Sequence, residues 1–227
     1  LKALKENPDL LLEALSQRKV ELYRMVKEGA EIARRQAWRE GVQKALDDPV
    51  EVQVEPGRPV WGPQDAEFTL VEYSDFLCGA CAGAARSIAE LRRRRPGEVR
   101  VVLKHYTGKG LGRQLALYFE AIGRQSDDKA WEFYHQVFDR QDEVKKDKLA
   151  AVEEIVAGLG LDRARLARDL ADPALKERLE SDLAEVQRLK LTSTPSLVLG
   201  GVSISGAAPA DALEEVMEMV RRRRQGG

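Results

Sequence analysis

The stretch Phe68-Thr69-Leu70-Val71-Glu72-Tyr73-Ser74-Asp75-Phe76-Leu77-Cys78-Gly79-Ala80-Cys81 decides how this chain is read. Its first six residues are β-branched, aromatic or aliphatic apart from one glutamate, the composition of a buried strand. Residues 74–77 read as a loop. From Cys78 an alanine-rich run continues to Arg92-Arg93-Arg94-Arg95-Pro96-Gly97, where proline and glycine stop a helix. Two cysteines, the only ones in 227 residues, therefore stand where a strand hands over to the first turn of a helix. A thiol at that point faces unsatisfied backbone N–H groups and the positive end of the helix dipole, which favour thiolate over thiol. Cys78 is the candidate nucleophile. Cys81, one turn inward on nearly the same face and less accessible, is the candidate resolving thiol, because disulfide exchange needs one sulfur to form a mixed disulfide and a second to release it. Gly79 and Ala80 leave access open and add no positive charge.

Outward from this point, residues 98–103 form a second strand. Helical segments follow at about 111–124, 129–141, 148–158, 162–170 and 173–191. Residues 196–199 and 202–205 flank Gly200-Gly201 as a hairpin, and 209–224 form a last helix. Strand, helix, strand, long helical insertion (about 105–191), hairpin and helix make an α/β domain over 60–227, whose sheet mixes a βαβ crossover with an antiparallel pair.

Upstream, residues 1–46 read as a helical stalk or oligomerisation segment capped by Asn7 or Asp9. Leu4, Leu11, Leu15, Leu22, Met25 and Ile32 form its apolar stripe, and Arg18, Gly29, Gln36 and Arg39 interrupt it. Gly29 and Gly41 are the expected breaks. Such a stripe needs cover, either from the domain behind it or from the same helix of another subunit, and the second is favoured. Residues 47–59, with Pro49, Pro56, Pro59 and Gly57, read as a linker.

The 37 basic and 38 acidic side chains nearly cancel to a formal charge of -1, which excludes the strong positive field of nonspecific nucleic-acid binding. No apolar run approaches the roughly 20 residues that span a bilayer. The first residues are too charged for a signal-peptide core, and a start at Leu1 rather than Met implies a processed or trimmed form. The two histidines, His105 and His135, are isolated, and one chain with two cysteines cannot build a four-cysteine zinc site, so no metal or cofactor is implied. A rival reading keeps the pair noncatalytic, as half a zinc site shared between subunits in a metal-binding or chaperone-like oligomer. His105 reads as a hydrogen-bonding residue, Trp131, Phe133, Tyr134, Val137 and Phe138 as core at helical spacing, and the arginine runs 92–95 and 221–224 as solvated helix ends.

The run Val71–Cys81, with Thr194-Pro195 before the hairpin and a helical insertion between them, resembles the DsbA-like thiol-disulfide oxidoreductases of thioredoxin fold. The N-terminal helix resembles the stalk of the ScsC-like branch. The resemblance implies exchange with protein or peptide thiols and disulfides outside the cytoplasm, in the periplasm or its equivalent. It also implies a redox recycling partner bound to a membrane, and a homo-oligomer of two or three chains. It makes Pro195 a cis proline packed beside the cysteines, where an unaided bet would be trans, and Thr194 the residue that offers its backbone to the substrate chain. Threonine there resembles the isomerases of the group more than the oxidases. The Gly-Ala dipeptide lacks the proline and histidine of the strong oxidants, which argues against a highly oxidising pair and leaves oxidase or isomerase direction open. Glu72, six residues before Cys78, matches the family's buried acid. Strand alternation places it with Phe68, Leu70 and Ser74, where burial raises its pKa, and it is expected to accept and return the proton of Cys81.

Overall fold

The computed structural model describes residues 8–226. The expected cap at Asn7 and the stripe residue Leu4 lie outside them. The described residues fall into two compact units divided between Lys44 and Ala45.

In the first unit, helix α1 (Pro8–Gln17) is followed by α2 (Lys19–Asp47), which runs across the division. The interruption falls at Arg18, whose N–H donates to the Leu15 carbonyl three residues back at 3.1 Å. Gly29 and Gly41, expected to break the helix, lie inside α2. A Cβ at either would meet open space, so each costs only the roughly 1 kcal/mol by which glycine trails alanine, too little to interrupt a run rich in glutamate, arginine, lysine and alanine. Leu12, Leu22, Met25, Val26 and Ile32 are exposed along these helices.

The second unit is built on a five-stranded sheet in the order β1-β3-β2-β4-β5: β1 (Val60–Trp61), β2 (Phe68–Ser74), β3 (Val99–His105), β4 (Ser196–Leu199) and β5 (Val202–Ser205). The central strand β2 runs parallel to β3, with Phe68 opposite Val99, and antiparallel to β4, with Leu70 opposite Leu199. Helix α3 (Gly79–Arg94) makes the β2–β3 crossover. Between β3 and β4 come α4 (Leu111–Gly123), α5 (Asp127–Asp139), α6 (Gln141–Asp147), α7 (Leu149–Gly158), α8 (Arg163–Ala171) and α9 (Pro173–Arg188), and α10 (Ala210–Gly226) closes the chain. This is a thioredoxin-like fold with a helical insertion. The hairpin turns on Gly200 and Gly201, both at positive φ (59° and 87°), the geometry a two-residue turn between twisted strands demands.

Both faces of β2 are covered. Val71 and Tyr73 join Val102, Val186 and Val198 on one side. On the other, the guanidinium groups of Arg221 and Arg224 lie over Phe68, and Tyr134 of α5 meets Glu72. The segment 47–59, expected as a linker, lies against the sheet: Val50 donates its N–H to the Gly201 carbonyl (2.9 Å), and Val50, Val52 and Val54 pack on the Val71–Tyr73 side. Arg58 is buried and pairs with Glu120 of α4, Asp182 of α9 and Glu55. The alternating valines cover one face of the sheet, and the buried guanidinium ties the same segment to the insertion.

The aromatic residues 131–138 are core, as read. The two arginine runs do approach one another. Arg94 and Arg95 reach Asp211, Glu214 and Glu218 of α10, and Arg221 reaches Glu67 and Glu98, so carboxylates match these charges.

Candidate active site

The turn between β2 and α3 is held by backbone bonds at Phe76, Leu77 and Cys78. The Asp75 carboxylate accepts the Leu77 N–H at 2.7 Å, and the Asp75 carbonyl accepts the Cys78 N–H at 3.0 Å, a side-chain-and-backbone turn that aspartate favours. Gly112 permits the close approach of the insertion here, since a Cβ would collide with Thr107 Oγ1 and lie 3.1 Å from the Asp75 carboxylate. Cys78 is the N-cap of α3, with extended backbone (φ −80°, ψ 122°), and its carbonyl accepts the N–H groups of Cys81 (3.1 Å) and Ala82 (3.4 Å). From the insertion, the buried Gln141 side chain donates through Nε2 to the carbonyls of Phe76 (2.8 Å) and Cys78 (2.9 Å), while its Oε1 accepts from Lys145 Nζ.

The two thiols are free and hydrogen-bonded to each other, one half-buried and one buried completely. Partial burial would raise the Cys78 thiol. Hydrogen bonding from Thr194, from the Cys81 thiol and from the Cys81 and Ala80 N–H groups outweighs it, and the net movement is downward. Burial pushes Cys81 up to about 12, with the nearby Glu72 carboxylate adding to the rise. The pair is thus split into an accessible, acidic thiol and a hidden, basic one. Cys78 Sγ also lies 3.4 Å from the Thr194 carbonyl. The Thr194-Pro195 bond is cis.

Glu72 is wholly buried, and burial pushes its carboxyl up to about 7 even though the Tyr134 hydrogen bond and the nearby Ser74 hydroxyl act the other way. Tyr134 Oη–H donates to Glu72 Oε2 at 2.6 Å, and the phenol is held well above its ordinary value by the same burial and by that carboxylate. Among the described residues, Glu72 Oε1 and Ser74 Oγ have no hydrogen-bond partner. His105 is buried at the end of β3, with Nε2 3.0 Å from Glu120 Oε1. No group of three or more His, Cys, Asp or Glu among the described residues is arranged to hold a metal.

The family model described as Thioredoxin matches residues 54–219. The chain belongs to the thioredoxin family. Relatives with two kinds of name are similar to this chain. A Na(+)/H(+) antiporter NhaA from Herminiimonas arsenicoxydans is 34% identical over 177 residues, covering 78% of this chain but only 27% of the relative's length. Disulfide bond formation protein D of Bacillus subtilis is 26% identical over 175 residues, covering 71% of this chain and 76% of the relative. The crystal structure of α-DsbA1 from Wolbachia pipientis superposes with a TM-score of 0.67 at 15% identity, covering 76% of this chain and 94% of that one. This is a thioredoxin-family chain whose fold is that of the DsbA-like oxidoreductases. No described helix is long and apolar enough to cross a membrane.

Of the five residues expected at the site, Cys78, Cys81, Glu72 and Thr194 lie together, and Pro195 follows Thr194 through the cis bond. Sequence reading missed what Tyr134 and Gln141 do in this thioredoxin-family site. Tyr134 was expected only as core, and it is also the partner of Glu72. Gln141 carried no signal, lying at the very end of an expected helix. Asp75 carried one, since an aspartate two residues before an N–H that needs an acceptor is a turn signature.

Proposed function

We propose that this chain is a protein thiol–disulfide oxidoreductase that acts through Cys78 and Cys81. The observation that carries the reading is the split between the two thiols, Cys78 half-exposed and lowered, Cys81 buried and raised. The Cys78 thiolate attacks a substrate disulfide; a Cys78–substrate bond forms, and the first substrate sulfur leaves with the electron pair and takes a proton. Cys81, once deprotonated, attacks Cys78 Sγ, the Cys78–Cys81 bond forms, and the second substrate sulfur leaves as thiolate. The substrate gains two electrons and the chain loses two; run backwards, the same steps oxidise a substrate dithiol. With a Cys81 pKa of about 12, only about one molecule in 10⁵ is ionised there at pH 7 (12 − 7 = 5 decades), so release needs a base. Glu72, at about 7, is matched to that task. Thr194 and Pro195 form the wall against which the substrate chain lies.

The proposed substrates are protein or peptide thiols and disulfides, in an extracytoplasmic compartment where disulfides persist, with a membrane-bound partner recycling the pair. The exposed apolar residues of α1 and α2 support assembly through that segment, and an assembly of several sites, with threonine before the cis proline, supports isomerisation over one-way oxidation. Turnover of a scrambled disulfide substrate in a redox-buffered assay is expected for the intact chain and lost in Cys78→Ala; equal turnover by both proteins would overturn the assignment. Equilibration with glutathione then sets the direction.

A further inference from the structure

We propose that the Ser74 hydroxyl carries the proton between Cys81 and Glu72. This rests on the exchange reading above and adds a residue to it. Glu72 and Ser74 are alternate residues of β2 and share one face of the sheet. One oxygen of Glu72 is engaged by Tyr134 at 2.6 Å; the other, Oε1, has no partner, and neither does Ser74 Oγ, in a strand where both residues are buried. Two neighbouring orphan polar atoms in one interior are costly, since each forfeits its hydrogen bonds to water without replacement. A proton path gives both atoms a use. Ser74 Oγ nonetheless lies near enough to both Cys81 and Glu72 to favour the ionised form of each, so the unpartnered hydroxyl is placed to bridge them.

A hydroxyl donates and accepts at once, which a carrier requires. In the release step, the Cys81 S–H proton passes to Ser74 Oγ as the serine's own proton passes to Glu72 Oε1. Serine ends unchanged, Glu72 ends protonated, and the electron pair left on Cys81 Sγ forms the bond to Cys78 as the substrate thiolate departs. In the reverse direction Glu72 returns the proton by the same route. Tyr134 is the positioning residue: by fixing Oε2 it turns Oε1 towards the serine. The other groups facing this site are Cys78 at the start of α3 and His105, which is opposite Ser74 on β3 and bonded to Glu120. Leu103 and Leu197, opposite Glu72 on β3 and β4, carry no charge.

Rapid mixing of the reduced protein with oxidised glutathione separates two steps: bimolecular formation of the Cys78–glutathione disulfide, then unimolecular release of the second glutathione. Both are followed from pH 5 to 9 in the intact chain, Ser74→Ala, Ser74→Thr and Glu72→Gln, with near-ultraviolet circular dichroism to confirm each fold. Ser74→Ala is expected to slow release about tenfold or more, out of the 10²–10⁴-fold that general acid–base catalysis supplies. It should leave the first step unchanged, and Ser74→Thr, which keeps the hydroxyl, should restore release. If Glu72→Gln slows release while Ser74→Ala matches the intact chain, the carrier assignment falls and the base assignment stands. If Glu72→Gln also matches it, the base assignment falls and takes the carrier with it.

Discussion

Glu72→Gln tests the electrostatics of the site without touching a sulfur. Glutamine has the shape of the protonated acid and can still accept from Tyr134, so the substitution removes ionisation and little else. The neutral carboxyl is favoured in the folded chain, where its pKa is pushed from 4.5 to about 7 by burial. At about 1.36 kcal/mol for each pH unit, that displacement is worth about 3 kcal/mol. The sign follows from which state ionises first. Below about pH 4.5 both folded and unfolded chains hold the proton and the full stability is present. As pH rises the unfolded chain loses its proton first, so stability falls until the folded carboxyl also ionises near pH 7 and the loss levels off. The glutamine chain has no such loss. Urea unfolding of both proteins, kept reduced, between pH 4 and 8.5 reads the difference directly, because every other titration is shared. The variant is expected to gain about 3 kcal/mol on the intact chain across that window. A difference that stays constant with pH would show that the carboxyl titrates as it would in water, and the reasoning that makes it the base for Cys81 would fail.

Cys81→Ala should accumulate the mixed disulfide between Cys78 and a substrate, visible as a mass increase that dithiothreitol reverses, since nothing then displaces the substrate; rapid release without Cys81 would contradict its role. Gln141→Leu removes both bonds to the Phe76 and Cys78 carbonyls. It should slow iodoacetamide alkylation of Cys78 and lower stability by about 2 kcal/mol, at the usual 1–3 kcal/mol for stranding a buried polar group. Arg58→Ala strands the buried carboxylates of Glu120 and Asp182 and should cost about 3–5 kcal/mol in urea unfolding, with alkylation of Cys78 unchanged in the folded protein. Deleting residues 1–46 should leave a monomer by light scattering with full thiol reactivity, and an unchanged particle mass would remove the stalk from assembly.

The strand–turn–helix that carries the cysteines was readable because its signals are local: an apolar run, a loop, an alanine-rich helix stopped by Pro96-Gly97. The hairpin at Gly200-Gly201 was readable for the same reason. Strand β1, two residues long, is below the length at which alternation means anything, and α6 was hidden because Arg140 breaks the helical path without a proline or glycine to mark it. Arg58 sat in a proline-rich segment with every mark of a linker; its partners Glu120 and Asp182 are 62 and 124 residues away. Tyr134 sits in a helical stripe of apolar residues, and only the fold reveals that its hydroxyl meets a carboxylate 62 residues earlier. Local pattern carried the two cysteines. The groups that tune them come from contacts that no spacing announces.

The two bonds from Gln141 to the cysteine turn join positions 65 and 63 residues apart. A ribosome therefore delivers both sulfurs well before it delivers the amide that finishes their setting. The turn around Cys78 is thus closed by a segment made after it, and until the later helices dock the Phe76 and Cys78 carbonyls lack these two donors.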